Sequence, residues 1–137
     1  ILSAVSLATK KLLKKPLNNL SNQSLSKKLT EQEKLLRQIS EREWQSHVCK
    51  IAGLKGWRYY HPPDNRPVNG RIQKVVSGFP DLCLIKNGRM VFAELKREKG
   101  IVSPEQEEWM QAIKECDIEV YVWRPSDLHK LVAILSK

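Results

Sequence analysis

Two carboxylates stand near the open ends of a predicted β-hairpin. The stretch GFPDLCLIKNGRMVFAELK covers residues 78–96. Two apolar runs joined by Asn87-Gly88 are typical of a hairpin, because a tight two-residue turn needs residues that tolerate positive φ. With that turn, or with a four-residue turn around it, Asp81 faces Glu94 across the two strands. A three-residue loop would shift the register, so the pairing depends on the turn type.

The predicted Asp81–Glu94 pair is chemically costly. Directly opposed residues have Cβ atoms about 4.5–5.5 Å apart, and two carboxylates at that distance repel each other. A shared proton, the cation of Lys96 on the same strand face, or a divalent metal would relieve the repulsion. Paired oxygen ligands suit Mg²⁺ or Mn²⁺. Charged strand ends that reach water, with an exposed Glu94–Lys96 ion pair, would give the same pattern.

Two capping boxes precede the hairpin. Thr30 is followed by Glu33, and Ser40 is followed by Glu43. Each pair is the signature of a helix N-terminus. The pattern predicts a helix that starts near residue 30 or 40 and ends at residues 53–56, with apolar positions at helical spacing.

The remaining elements complete an α/β pattern. Strands are predicted at residues 57–61 and 118–123, and residues 62–78 carry the Pro, Asn and Gly of a long loop. The stretch SPEQ from residue 103 opens a helix, with Ser as N-cap and Pro at the first position. A last helix covers LHKLVAIL. The predicted order is helix, strand, strand, strand, helix, strand, helix.

Positive charge is concentrated near the N-terminus. The chain of 137 residues has 24 Lys and Arg against 15 Asp and Glu, a net charge of +9. Residues 1–30 hold six Lys and no acid, so they contribute +6 and the remainder +3. We therefore expect a basic arm over residues 1–39, partly helical or flexible, and a folded domain over 40–137. Such an arm favours an anionic partner, either nucleic acid or an acidic membrane surface.

The sequence gives little support for a zinc-binding protein or a membrane-spanning protein. Cys49, Cys83 and Cys116 are odd in number and widely spaced, without the CxxC spacing of a zinc site. We expect small buried thiols in a reducing compartment, such as the cytoplasm or nucleoid. The sequence has no apolar run near the ~20 residues of a membrane span, and its apolar start is a poor signal peptide.

The chemistry-bearing residues resemble those of a known nuclease family. Pro80-Asp81, separated by twelve residues from Glu94-Leu95-Lys96, resembles the PD-(D/E)-x-K nuclease motif. The G-x-P-D entry from Gly78, the glutamine Gln106 and the acidic helix start SEREWQ at 40–45 resemble the VRR-NUC family. The resemblance covers about residues 40–135. It implies a restriction-endonuclease-like αβββαβ core, with a small mixed central sheet flanked by helices.

The resemblance also implies roles for individual residues. Asp81 and Glu94 would hold Mg²⁺ or Mn²⁺, with the backbone carbonyl of Leu95 as a further ligand. Lys96 would orient the attacking water or stabilise the transition state, and charge stabilisation is favoured over a general-base role. Glu41 would hold a second metal, or the first through water, while Glu43 is its rival and better explained as the capping partner of Ser40. Gln106 would cap its helix and also aim its amide at Lys96 or the phosphate.

The substrate expectations follow from the resemblance and from the loop. Arg66, Arg71 and Lys74 lie on the loop that leads to Asp81, where they would contact the DNA backbone, or would merely be solvated. The resemblance implies a homodimeric, structure-selective endonuclease that cuts branched DNA such as Holliday junctions. The alternatives are a non-catalytic nucleic-acid-binding module on the same fold, and a membrane-surface protein that acts through residues 1–30.

Overall fold

A four-stranded mixed sheet forms the centre of the molecule. The computed structural model describes residues 29–62, 69–70 and 76–137. The sheet has the order β1-β2-β3-β4, in which β1–β2 and β2–β3 are antiparallel and β3–β4 is parallel. Its strands are β1 (Arg58–Tyr60), β2 (Leu82–Lys86), β3 (Arg89–Leu95) and β4 (Glu119–Trp123).

Four α-helices accompany this sheet in the described residues. Their bounds are α1 (Glu31–Gln38), α2 (Glu41–Leu54), α3 (Pro104–Glu115) and α4 (Leu128–Leu135), and a 3₁₀ turn at Pro125–Asp127 precedes α4. The capping boxes of Thr30, Ser40 and Ser103 are all formed. Because both predicted starts near residues 30 and 40 are used, the first helical stretch is two helices.

The hairpin turn has the predicted geometry. Asn87 and Gly88 both have positive φ, 49° and 77°. Lys86 pairs with Arg89, and Leu82 pairs with Ala93. This is the predicted register, and it places Asp81 one residue beyond the last ladder pair of β2, beside Glu94.

The two faces of the hairpin differ in burial. On one face Leu82, Leu84, Val91, Ala93 and Leu95 are almost fully buried. They form the core with residues of α2, α4 and β4, and with Trp57: Trp44, Val48, Ala52, Trp123, Leu128, Leu131, Leu135. The other face carries exposed Ile85 and Met90 near the turn and buried Glu94 at the open end. Burial on this second face therefore increases toward the predicted site.

One backbone carbonyl fixes α2 against the end of the sheet. Trp44 Nε1 donates to the Trp123 carbonyl over 2.9 Å, and the Lys96 amide donates to the same oxygen over 3.1 Å. A buried indole needs such a partner, because an unpaired buried N–H is costly. The start of α2 and the backbone of Lys96 therefore share one anchor.

The predicted fold class is confirmed. The described residues form an α/β fold with a small mixed sheet flanked by helices, compatible with a restriction-endonuclease-like core. The αβββαβ order is present from α2 to β4. None of the helices in these residues has both the length and the apolar character needed to span a membrane.

Candidate active site

Asp81 and Glu94 meet at the open end of the hairpin. Asp81 Oδ2 accepts a hydrogen bond from the Leu95 amide over 2.8 Å, which ties the end of one strand to the other. Asp81 is half-buried, whereas only 1% of Glu94 is exposed. Glu94 is therefore among the most buried polar groups in the described residues, which argues against the alternative of a charged strand end that reaches water.

The two oxygens of Glu94 have different surroundings. Oε1 accepts a hydrogen bond from Gln106 Nε2 over 2.7 Å and lies 3.4 Å from Lys96 Nζ. Oε2 is buried and has no hydrogen-bond partner among the described residues. A buried oxygen without a partner is rare in folded proteins and calls for a specific explanation, such as an ion, a water or a catalytic role. A cation beside Asp81 would satisfy it.

The surroundings of Glu94 favour its neutral form in the metal-free protein. Burial, followed by the negative charge of Asp81, raises the pKa of Glu94 to about 8, and Lys96 opposes this rise. Burial disfavours a charged carboxylate, and a second carboxylate disfavours it further. At neutral pH a proton and the Lys96 ammonium thus relieve the repulsion that the sequence predicted.

Lys96 connects the strand to the first turn of α2. Its Nζ lies 3.4 Å from Glu94 Oε1 and 3.7 Å from Glu41 Oε1. The side chain of Lys96 is 11% exposed, whereas that of Glu41 is 51% exposed. The structure thus brings Glu41 to the rim of the site, as its position in the motif implied.

Glu43 is the capping partner of Ser40. Its carboxylate accepts from the Ser40 amide over 2.9 Å, and the Ser40 hydroxyl accepts from the Glu43 amide over 3.2 Å. These hydrogen bonds lower the pKa of Glu43. Of the two glutamates at the helix start, only Glu41 faces Lys96, which agrees with the interpretation of Glu43 as a capping residue.

Gln106 serves both its helix and the site. Its Oε1 accepts from the Ser103 amide over 2.8 Å, and its Nε2 donates to Glu94 Oε1. The predicted capping role is present. The amide, however, contacts Glu94 rather than Lys96, because the Ser103 cap holds it directly over the end of β3.

The approach to Asp81 is closely packed against α3. Gly78 has φ +85°, and a Cβ built there would lie 2.6 Å from the Glu105 backbone carbon. The next residue, Phe79, makes edge-to-face contacts with Phe92 and Trp109, at centroid distances of 5.7 and 5.2 Å. Only glycine satisfies both the backbone conformation and the close approach. This packing fixes the direction from which Pro80-Asp81 enters the strand.

Several predicted features fall outside the described residues. Arg66, Arg71, Lys74 and residues 1–28 belong to segments that the structure does not describe. Within residues 29–62, 69–70 and 76–137, no three His, Cys, Asp or Glu side chains are grouped closely enough to hold a metal ion. In this part of the chain, a metal would therefore be held by the Asp81–Glu94 pair with backbone or water oxygens.

The sequence did not single out Arg124, which shapes the segment after Lys96. Its Nη1 donates to the carbonyls of Arg97, Glu98 and Gly100 over 3.0, 3.4 and 2.6 Å. No local pattern announces contacts between residues more than twenty positions apart. A basic residue directly after the last strand of an α/β domain was the only available signal.

Comparison with known proteins finds one family model that matches part of the chain. Residues 66–127 match the family model described as the VRR-NUC domain. This segment includes Asp81, Glu94, Lys96 and Gln106. No curated protein and no solved structure shows a significant match to the chain.

Proposed function

We propose, from the match of residues 66–127 to the VRR-NUC domain model, a metal-dependent endonuclease that hydrolyses phosphodiester bonds in DNA. The proposed cofactor is Mg²⁺ or Mn²⁺, and the proposed substrate is branched DNA such as a Holliday junction, cut by a homodimer. Residues 40–137 would be the catalytic unit, and the basic arm 1–39 with Arg66, Arg71 and Lys74 would contact the DNA backbone. The enzyme would act in the cytoplasm or on the nucleoid.

One observation carries this proposal. Glu94 is 1% exposed, lies beside a second carboxylate, and retains one buried oxygen without a partner in the described residues. A domain that only binds nucleic acid gains nothing from this arrangement, because burying two adjacent carboxyl groups destabilises the fold even when one of them is protonated. A metal site gains a preformed oxygen ligand.

The donor set fits a hard divalent cation. Asp81 and Glu94 supply carboxylate oxygens, and the Leu95 carbonyl between Glu94 and Lys96 is the proposed third protein ligand. Glu41, at the rim, would contribute through water or hold a second ion. When bound, the ion supplies positive charge to the phosphate and increases the acidity of nearby water.

Lys96, Glu41 and Gln106 have separable tasks in the proposed mechanism. The Lys96 ammonium stabilises negative charge that develops on the phosphoryl oxygens in the transition state. Glu41, 3.7 Å from Lys96 Nζ, holds that ammonium toward the rim. Gln106 fixes Glu94 Oε1 by hydrogen bonding, so that Oε2 keeps one orientation. Partners of this kind orient metal ligands and strengthen metal binding.

The test is cleavage of a panel of labelled DNAs: single strand, duplex, flap and four-way junction. Each would be incubated with Mg²⁺, with Mn²⁺ and with EDTA. Wild type would be compared with Asp81→Asn, Lys96→Gln and the control Glu107→Gln, which removes an exposed carboxylate of α3. We expect metal-dependent cleavage by wild type and by the control alone, with the junction cut fastest.

Two other results would reject parts of the proposal. If all four proteins bind the DNAs equally and none cuts, the carboxylate pair is not a working site, and a binding module becomes the better description. If wild type cuts duplex and junction at equal rates, the nuclease assignment is supported but the proposed selectivity for branched DNA is rejected.

A further inference from the structure

The turn over residues 97–100 lies against the candidate active site. It directly follows Lys96 in the chain. A Cβ built at Gly100 would lie 3.3 Å from Arg97 Cγ and 3.4 Å from Glu41 Oε1. Glu41 Oε1 is itself 3.7 Å from Lys96 Nζ. The aliphatic stem of Arg97 therefore runs beside the rim of the site.

This turn carries two exposed cations. Arg97 and Lys99 are exposed, and neither has an ion-pair partner among the described residues. The acid between them is engaged, because Glu98 Oε2 accepts a hydrogen bond from the Ser126 amide over 3.1 Å. Lys96, by contrast, is held between Glu41 and Glu94. The turn thus presents two exposed positive charges next to a site rich in carboxylates.

Arg124 holds this turn in place. One of its guanidinium nitrogens donates to three turn carbonyls, those of residues 97, 98 and 100. The Gly100 amide also donates to the Arg97 carbonyl over 2.9 Å. Because the guanidinium is planar, Nη1 projects its two N–H groups in fixed directions, which the freely rotating ammonium of lysine does not reproduce. The turn is therefore built to a defined shape although its side chains are exposed.

The helix beside Glu94 has the opposite charge. Helix α3 contains four Glu and one Lys. Its Glu105, Glu107, Glu108 and Glu115 are exposed. A polyanion is repelled by such a surface and attracted by free cations. Nucleic acid that reaches Glu94 and Lys96 would therefore approach over the 97–100 turn, not over α3.

We propose that the turn 97–100 is a phosphate-binding loop of the enzyme. Arg97 and Lys99 contact backbone phosphates beside the scissile one, and Arg124 is the positioning residue that shapes the loop. This inference deepens the proposed nuclease function and rests on it. Because these contacts go to the backbone, they position the substrate without reading its sequence.

Binding can be tested without cleavage. The affinity for a labelled DNA duplex would be measured by fluorescence anisotropy over a salt series, with Ca²⁺ in place of Mg²⁺. Each lost phosphate contact reduces the slope of log affinity against log salt by about one unit. We expect Arg97→Ala/Lys99→Ala to lower the magnitude of the slope by about two, and its deficit to shrink as salt increases.

The matched control removes the same charge elsewhere. Lys55→Ala/Lys114→Ala eliminates two exposed lysines, one at the far end of α2, roughly 20 Å from Glu41, and one on acidic α3. The control should keep the wild-type slope. Equal slope changes in both double variants would overturn the inference, because net charge alone would explain them. If the Arg97/Lys99 variant has a reduced slope but the wild-type protein cuts no DNA, the phosphate-binding role of the loop is upheld and the proposed nuclease activity is rejected.

The role of Arg124 has a kinetic test. Arg124→Lys keeps the charge and loses the three-carbonyl contact. We expect KM for duplex cleavage to increase about tenfold with kcat nearly unchanged, which is the sign of lost ground-state binding. If Arg124→Lys lowers Tm, Glu98→Ala, which releases the turn from Ser126, supplies a second variant with the same expectation. An unchanged KM in both would overturn the positioning role.

Discussion

Gln106 Nε2 donates a hydrogen bond to Glu94 Oε1 over 2.7 Å, while Gln106 Oε1 caps the helix that carries it. One side chain therefore links the N-terminus of α3 to the buried carboxylate at the end of β3. Glutamine suits both tasks, because its amide offers an acceptor to the cap and a donor to the carboxylate.

Substitution of Gln106 separates its two tasks. Gln106→Glu keeps a capping-box residue but turns a carboxylate toward Glu94, so cleavage should fall roughly 10- to 100-fold. Gln106→Ala loses the cap as well, and should also lower the free energy of unfolding by about 1 kcal/mol. Cleavage rates and urea denaturation distinguish the two effects. Full activity in Gln106→Glu would show that the Glu94 contact is incidental.

The metal-free protein should lose stability as pH increases. The pKa of Glu94 is about 8 in the folded protein against a model value of 4.5, so the folded state retains a proton that the unfolded state releases. The stabilisation of the folded state by this retained proton is complete below pH 4.5 and is lost progressively up to about pH 8. Each pKa unit corresponds to about 1.4 kcal/mol, so the whole loss amounts to a few kcal/mol.

The matched variant for this prediction is Glu94→Gln. It cannot titrate at this position, so its free energy of unfolding in EDTA should vary less than that of wild type between pH 5 and pH 8, about the two ends of the window. Chemical denaturation at several pH values measures the difference. Parallel curves for the two proteins would contradict the assignment of a raised pKa to Glu94.

Gly78 should tolerate no side chain. Gly78→Ala combines a positive φ with a Cβ placed 2.6 Å from the Glu105 backbone, so the approach to Asp81 must move. Gly88→Ala is the control, because its φ of +77° is similar but no atom lies within 4 Å. Backbone strain in Gly88→Ala should lower the free energy of unfolding by about 1–2 kcal/mol, and Gly78→Ala should lower it clearly more. Equal unfolding free energies would mean that the contact with α3 relaxes freely.

Lys96 should affect catalysis and metal binding in opposite directions. Lys96→Gln removes a positive charge 3.4 Å from Glu94 Oε1, so Mn²⁺ should bind at least as tightly as in wild type. Cleavage should nevertheless fall about 10²- to 10³-fold, because a transition-state contact is lost. Mn²⁺ titration and single-turnover cleavage measure the two effects. Lys50→Gln on α2, which removes an exposed lysine, should change neither.

Sequence reasoning recovered the features that local chemistry determines. The turn residues Asn87-Gly88 set the register that brings Asp81 beside Glu94. The N-cap residues Ser40 and Ser103 form hydrogen bonds with residues only three positions away. These contacts lie within short segments whose residue types restrict the geometry. Their patterns are therefore readable without knowledge of the fold.

Long-range contacts carried no such signal. Arg124 donates hydrogen bonds to carbonyls of the 97–100 turn, and Trp44 and Lys96 donate to the same Trp123 carbonyl. These contacts join residues that lie 24 to 79 positions apart in the chain. Many arginines and tryptophans would fit the same local patterns. The extent of Glu94 burial also depends on α3 packing over the end of β3, which only the assembled fold determines.

Metal binding to the Asp81–Glu94 pair tests the central claim most directly. Mn²⁺ binding to wild type, Glu94→Gln and Glu107→Gln would be followed by electron paramagnetic resonance at pH 8, with Tm recorded in parallel. We expect wild type and Glu107→Gln to bind Mn²⁺ and to gain stability from it, and Glu94→Gln to lose both effects. If folded Glu94→Gln binds Mn²⁺ as tightly as wild type, the buried carboxylate pair is not the metal site.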